Sequence, residues 1–308
     1  MTGSPFQGSG SGIALVVGGD SLVGSAIQSH CHDLGIPVEV SSRRRGVKAS
    51  FFDLADPDFA SLERIRRQFA FVCAAVTDMR ACQNDPAATR RINVVNTIEL
   101  MRRLADKQTH LVFFSTSQVF DGEAPSPAED APTSPRNEYG VQKLAVEEAI
   151  ARHDLPVAVL RVAKVFGNRP AGIFKTWFEA LARGNPIRAA TNMAFSPVIV
   201  GDVARAAGLL AGGRHRGVWH LGARDEMRYF DAAQLMAGMQ QAPLALVTGE
   251  AVTEAEVPSI FRQRHTTLSS EKIARTLDMP LRRARDVLEG LFAGVPPAVR
   301  GHATPERR

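Results

Sequence analysis

The chain has 308 residues, 44% of them hydrophobic and 22% charged, the balance of a globular protein with room for one large domain or two closely joined ones. Its net charge of +5 is spread along the chain rather than gathered into runs, which suits anionic small molecules and gives no ground for a nucleic-acid partner. No apolar run approaches the roughly 20 residues of a membrane span, and Cys31, Cys73 and Cys82, odd in number and without metal-like spacing, imply a reducing, cytoplasmic setting.

Residues 1–12 are rich in Gly and Ser, with neither a basic start nor an apolar core, and read as a flexible lead-in. The apolar run Ile13 to Val17 leads into Gly18-Gly19-Asp20-Ser21-Leu22-Val23-Gly24, after which Val23, Ala26, Ile27 and His30 recur at helical spacing. Strand, tight turn and helix in that order predict the first βα unit of a dinucleotide site, with Gly18, Asp20, Ser21, Leu22, Val23 and Gly24 around a pyrophosphate at the helix N-terminus. Ser21 stands where the motif has its middle glycine, so an ordinary strand-to-helix turn is the competing reading.

A second strand, Val38 to Val40, runs into Ser41-Ser42-Arg43-Arg44-Arg45. An acidic residue there would hold the ribose of NAD. Ser42, Arg43 and Arg44 suit a 2′-phosphate instead, since guanidinium groups offer planar, bidentate donors, and NADP(H) is expected over NAD(H). Asp53 and Leu54 are placed for the adenine, and Asp56-Pro57 reads as the N-cap and first residue of a helix. Phe71 to Val76 is predicted as a buried strand whose Ala74, Ala75 and Val76 let a cofactor lie against the backbone, with Thr77 following on the substrate side. Val94, Ile98, Met101 and Ala105 mark one long helix, and Leu111 to Phe114 a strand that delivers Ser115-Thr116-Ser117-Gln118 to the carboxyl edge of the sheet.

Tyr139 and Lys143 stand four residues apart, so on a helix one side chain lies over the next turn from the other. Free tyrosine titrates near ~10 and a neighbouring cation favours its phenolate. The pair therefore reads as a phenol tuned downward to protonate a carbonyl oxygen that receives a hydride, and Thr116 can be returned to the same cleft. Beyond it come a helix to about Arg152, a strand from Val157 to Val162, a helix around Phe174 to Arg183, a helix after Asp202 and a strand from Val218 to Leu221. A helix around Ala232 to Met239 follows, and a last one carries Leu281, Ala284, Leu288 and Leu291 on one face. The alternation predicts an α/β fold, a doubly wound parallel sheet of Rossmann type with a smaller α/β substrate-binding lobe towards the C-terminus. The expected division is 13–165 and about 196–222 for the cofactor domain, about 166–195 and 223–293 for the lobe, and 294–308 for a flexible tail.

These stretches resemble the extended short-chain dehydrogenase/reductase superfamily, and within it the dTDP-4-dehydrorhamnose reductase family. Besides Gly18 to Ile27 and Tyr139 to Lys143, the matching segments are Ala74 to Val76, Asp85-Pro86, Arg91-Ile92-Asn93-Val94, Ser115-Thr116, Val119-Phe120-Asp121-Gly122, Leu160-Arg161, Phe166-Gly167, Ser196-Pro197 and His220-Leu221-Gly222. The resemblance implies NADPH-dependent reduction of a 4-keto group on a nucleotide-linked deoxysugar. Tyr139 would be the proton donor, Lys143 would bind the nicotinamide ribose and lower the phenol's pKa, and Thr116 would hydrogen-bond the same oxygen. It implies a small-molecule nucleotide-sugar substrate, no membrane or nucleic-acid partner, and a homodimer.

Three positions depart from that family. Ser117-Gln118 replaces Asp-Tyr, Lys164 replaces Trp, and Arg262-Gln263 replaces Arg-Pro, so Ser117, Gln118, Lys164 and Arg262 are expected at the sugar and leave its identity open. Ser117-Gln118 cannot supply the Asp-Glu pair of a 4,6-dehydratase. A 4-epimerase or a non-catalytic, regulatory NADP-binding subunit are the alternatives. No metal site is expected, and Trp177 and Phe178 read as packing residues of the lobe.

Overall fold

A strand covered on both faces needs apolar residues at every position rather than every second one. The runs of that kind become β1 (Ala14–Val17), β4 (Phe69–Val72), β5 (His110–Thr116) and β6 (Val157–Val162), while the more polar β2 (Val38–Ser42) and β3 (Ser50–Phe51) lie towards the sheet's edge. The computed structural model describes residues 13–47, 49–63, 67–253 and 255–294. The expected lead-in, and the expected tail beyond Gly294, lie outside these described residues.

Further along the chain come β7 (Lys164–Phe166), β8 (Ile187–Ala190), β9 (Ala194–Phe195), β10 (Pro197–Ile199), β11 (Gly217–Leu221), β12 (Met227–Arg228), β13 (Val247–Glu250) and β14 (His265–Thr266). One seven-stranded parallel sheet has the order β11-β6-β5-β4-β1-β2-β3. Strand order reverses between β1 and β4, and in a sheet of this type the crevice at that switch point is where ligands bind. Small sheets β10-β7, β13-β8 and β12-β9-β14 complete the described strands.

Alternation along each strand sends side chains to opposite faces. Val16, Phe71, Val112 and Leu160 pack with Ile27 and Leu210 of helices Leu22–Asp33 and Val200–Gly212. On the other face Leu15, Val72 and Phe113 pack with Leu100, Met101 and Leu104 of helix Thr97–Asp106 and with Val146 and Ile150 of helix Glu138–Arg152. A third core is built on aromatic residues: Phe166, Phe174, Trp177, Phe178 and Phe195 gather with Met236, Leu288 and Leu291 from helices Ile173–Ala182, Tyr229–Met239 and Ala284–Ala293. Trp177 and Phe178 are packing residues there, as their sequence context suggests.

The molecule departs from the sequence expectations at four places. The strand read as Phe71 to Val76 ends at Val72, because Val76 gives its backbone N–H and C=O to the Asn93 side chain at 2.7 and 2.9 Å instead of to a neighbouring strand. The single long helix marked by Val94 to Ala105 is two pieces, a π-helical turn Arg91–Asn96 and the α-helix Thr97–Asp106, and a short helix Pro86–Arg90 precedes them. Asp56-Pro57 does not start a helix, which begins at Phe59; Asp53 accepts from Ala55 N at 2.9 Å and closes a turn first. Leu281 precedes the last helix and packs against the first core, whereas Leu288 and Leu291 belong to the third.

Candidate active site

After β1 the backbone turns through Gly18 at φ +83°, a region side chains avoid. A Cβ at Gly18 would lie 2.7 Å from Ala74 N, so the first turn and the segment after β4 touch backbone to backbone. Ser21 caps the following helix by accepting from Gly24 N at 3.0 Å, and its hydroxyl donates to Gly18 O at 2.8 Å. The serine in the motif's middle position thus closes the turn. The open N–H groups of a first helical turn are ones that an anion ordinarily satisfies.

A cavity of about 210 Å³ opens beside this turn. Gly18, Asp20, Ser21, Arg43, Arg44, Asp53 and Leu54 line it together with Ala74, Ala75 and Val76. Most of the residues expected at a dinucleotide therefore meet on one wall. Leu22, Val23, Gly24 and Ser42 do not line it: Leu22 is half exposed, and Ser42 is buried with its Oγ accepting from Arg44 N at 3.0 Å. The arginines divide their work. Arg44 Nε is 3.0 Å from Asp20 Oδ2, Arg45 lies over the Phe51 ring at 4.0 Å, and Arg43 has no ion-pair partner among the described residues.

Tyr139 and Lys143 share the helix Glu138–Arg152, which Asn137 caps by accepting from Gly140 N at 2.9 Å. Gly140 rests against the Gln118 carbonyl with no room for a Cβ, so the helix start is pressed onto the turn that carries Thr116. Lys143 is buried. Its Nζ donates to Phe114 O at 2.8 Å and lies 4.6 Å from the Phe113 ring centroid and 5.9 Å from that of Tyr139. Burial lowers the Lys143 pKa to about 8, against the opposing pull of Cys73 and Glu147. Contrary to expectation, the Tyr139 phenol is held above its ordinary value by desolvation, and Cys82 adds to the shift.

A larger cavity, about 750 Å³, opens on the side of the aromatic core. Thr116, Ser117, Gln118 and Lys164 line it, so the hydroxyl expected at the reacting carbonyl and three of the expected substrate residues converge. Thr116 also caps the short turn Ser117–Val119, its Oγ1 accepting from Gln118 N at 3.2 Å. Thr77 is exposed and lines neither cavity. Arg262 is off the wall as well, since its Nε is turned back onto Val257 O at 3.0 Å while its neighbours Phe261 and Gln263 line the cavity. Tyr139 and Lys143 line neither wall. Their helix joins the larger cavity through Gly140 against Gln118, and the end of β5 through Lys143 on Phe114.

Two sets of residues that sequence reasoning left without a role support this arrangement. Asn93 holds both backbone groups of Val76 and donates to Gln142 Oε1 at 2.7 Å; Gln142 in turn donates to Thr89 Oγ1 at 2.9 Å and Glu138 Oε1 at 3.0 Å. The segment after β4 is thereby tied to the turn between Tyr139 and Lys143. Behind Lys143, the buried Glu147 accepts from Arg161 Nη2 at 2.6 Å and from the Ser115 hydroxyl. Glu147 follows Lys143 by the same four-residue step that separates Tyr139 from Lys143, and that repeat was its sequence signal. Arg80, Arg188, Tyr229 and Phe261 also line the larger cavity without having been marked, and Trp177, expected as a packing residue, lines it too.

Residues 13–295 match the family model described as the RmlD substrate binding domain. The chain is 30% identical over 256 residues to a probable dTDP-4,6-dihydroxy-2-methyloxan-3-one 4-ketoreductase of Streptomyces antibioticus, covering 79% of this chain and 85% of that protein. It is 29% identical over 275 residues to a dTDP-4-dehydrorhamnose reductase of Mycobacterium tuberculosis, covering 84% of this chain and 89% of the relative. Among solved structures, the dTDP-4-dehydrorhamnose reductase of Bacillus anthracis in complex with NADP superposes with a TM-score of 0.80 at 17% identity, over 92% of this chain and 99% of that one. Its fold is that of the sheet described above. With a family match over nearly the whole described chain, and the glycine turn, Thr116 and the Tyr139–Lys143 helix set around one switch point, the chain belongs to the RmlD substrate binding domain family.

Proposed function

We propose that the chain is an NADPH-dependent reductase acting on the 4-keto group of a nucleotide-linked deoxysugar, with Tyr139 as proton donor. The names of its relatives support the substrate class. The observation that carries the chemistry is Lys143 fixed on the Phe114 carbonyl two residues before Thr116, with the first turn of its helix packed on Gln118. Sequence segments 13–165 and about 196–222 form the cofactor half in this reading, and about 166–195 with 223–293 the sugar half.

The dinucleotide, when bound, supplies the hydride. Gly18 and Ser21 would receive its pyrophosphate beside the point where the glycine turn touches Ala74, and Ala74 to Val76 would lie along it. Arg43, which follows β2 and has no ion-pair partner among the described residues, would take the 2′-phosphate. Thr116 donates its hydroxyl to the carbonyl oxygen of the sugar. Tyr139 Oη then gives that oxygen a proton, and the phenolate left behind is stabilised by the Lys143 ammonium. A phenol held high stays protonated until the oxygen gains charge, and positioned acid catalysis of this kind is typically worth ~10² to 10⁴ in rate.

The test is NADPH consumption with 4-keto-6-deoxyhexoses carried on dTDP, UDP or GDP, with the product identified by mass as the substrate plus two hydrogens. Turnover with at least one nucleotide is expected. If no nucleotide sugar draws hydride from either NADPH or NADH, the reductase reading is overturned.

A further inference from the structure

Three cations and one carboxylate, Arg80, Lys164, Arg188 and Asp78, line the larger cavity. Two of these groups, Arg188 and Asp78, are already engaged in polar contacts, and Arg80 rests on an aromatic face. Arg188 is ion-paired with Glu250, Arg80 lies over the Phe261 ring at 5.5 Å, and Asp78 caps a helix by accepting from Arg80 N at 2.8 Å and Ala81 N at 3.1 Å.

Lys164 shares with Arg80 the lack of a carboxylate partner among the described residues, but Arg80 is exposed to water and Lys164 only partly so. Half-buried on the cavity wall, its Nζ stands 5.8 Å from the ring centroids of both Phe174 and Tyr229, and no carboxylate among the described residues pairs with it. Aromatic faces attract a cation but offer no oxygen acceptor, so the three N–H donors of this ammonium are left to whatever enters the cavity. Its tether also has a defined origin. Val162 is the partner of Thr116 across the β5–β6 ladder, and Lys164 follows it by two residues. The ammonium therefore grows from beside the hydroxyl that holds the reacting carbonyl, which places it at the ring being reduced rather than at the nucleoside. A neutral sugar hydroxyl would return one charge-assisted hydrogen bond to this group, whereas a carboxylate would return an ion pair in a partly desolvated site.

We propose, on the basis of the nucleotide-sugar reading above but replacing its 6-deoxyhexose by a hexuronate, that Lys164 is a specificity-determining residue that selects a sugar whose ring under reduction bears a carboxylate at C6 in place of the deoxysugar's methyl group. The diphosphate is the other anion that an ammonium here can meet, and the experiment separates the two.

Calorimetric binding to the NADP⁺-loaded protein is measured for UDP-glucose and UDP-glucuronate, for the corresponding dTDP pair, and for free UDP and dTDP. Within a nucleotide pair the glucuronate form is expected to bind at least about tenfold more tightly. Lys164→Met should bring that ratio close to unity, and Lys164→Arg should retain it. Lys164→Gln replaces Lys164→Met if thermal melting shows that the latter is unfolded. Equal affinity for the two sugars in the native protein overturns the proposal. So does a Lys164→Met variant that loses free UDP or dTDP as strongly as the sugar forms, which would assign the ammonium to the diphosphate. A protein that binds NADP⁺ but no nucleotide or nucleotide sugar refutes the underlying nucleotide-sugar reading, a result distinct from either of these.

Discussion

Lys143 is the residue on which electrostatics and geometry meet. Burial lowers its pKa to about 8, so below that pH the ammonium is present and above it the neutral amine prevails. An ammonium that stabilises the developing phenolate makes turnover fall as pH rises through about 8, with the proton lost on the basic side. Measured kcat between about pH 6 and pH 10 should show that limb, and Lys143→Arg, if active, should shift it out of range because guanidinium does not titrate there. A limb at the same pH in Lys143→Arg assigns it to another group. At the other cavity, Arg43 is the guanidinium without an ion partner among the described residues, whereas Arg44 is engaged by Asp20. Arg43→Ala should therefore raise KM for NADPH by about tenfold or more while changing KM for NADH little, the loss of a charge-assisted phosphate contact. Equal effects on the two cofactors would remove Arg43 from the 2′-phosphate.

Among the elements, the π-helical turn Arg91–Asn96 explains most about how the site is assembled. It presents Asn93 to Val76 on one side and to Gln142 on the other, and Asn93 is buried. Asn93→Ala leaves the part-buried Val76 N–H without its partner and the Val76 carbonyl with only the Cys82 thiol, at a total cost of up to ~1–3 kcal/mol. Urea unfolding should show that loss, and kcat should drop with it as the segment after β4 loosens from the Tyr139 helix. Unchanged stability and kcat would show that this tie is dispensable. The strands were legible because continuous apolar runs admit little else, and the helix carrying Tyr139 and Lys143 because its side-chain spacing is local. The π-turn was not, since its reason lies in a tertiary partner: Asn93 reads as a polar interruption of a helix until Val76 is brought beside it. Arg262 misled for a different reason, since its partner Val257 O is only five residues away and no spacing of residue types marks that turn-back. The aromatic wall of the larger cavity, drawn from Trp177, Tyr229 and Phe261, is assembled from segments too far apart in sequence to be grouped by pattern.

For the molecule as a whole, acid sensitivity follows from two histidines sealed beside the sheet. His110, at the start of β5, and His220, in β11, are buried. Burial is the larger cause of their lowered pKa values, about 4 and about 3, and Arg214 and Arg161 respectively add to it. In the unfolded chain both titrate near ~6.5. Above that pH neither state binds protons at these sites and they add no pH dependence. As pH falls from about 6.5 towards about 4, the unfolded chain takes up protons that the folded chain refuses, so stability should decline with a slope approaching two protons. Urea unfolding at a series of pH values measures this, and replacing His110 with Gln should remove about half of the slope. A stability that stays flat down to about pH 4.5 would contradict the neutral burial of both rings.

The molecule is arranged so that one sheet edge serves two cavities, a small one at the glycine turn and a large one against the aromatic core, with Thr116 on the wall of the second and the Tyr139–Lys143 helix packed behind it. That arrangement has its central test in Tyr139→Phe, which removes one oxygen and leaves the helix packing in place. With NADPH and a reducible nucleotide sugar, kcat is expected to fall by about 10² or more while NADPH affinity stays within a few-fold. Turnover at the native rate in Tyr139→Phe would contradict the assignment of Tyr139 as the proton donor.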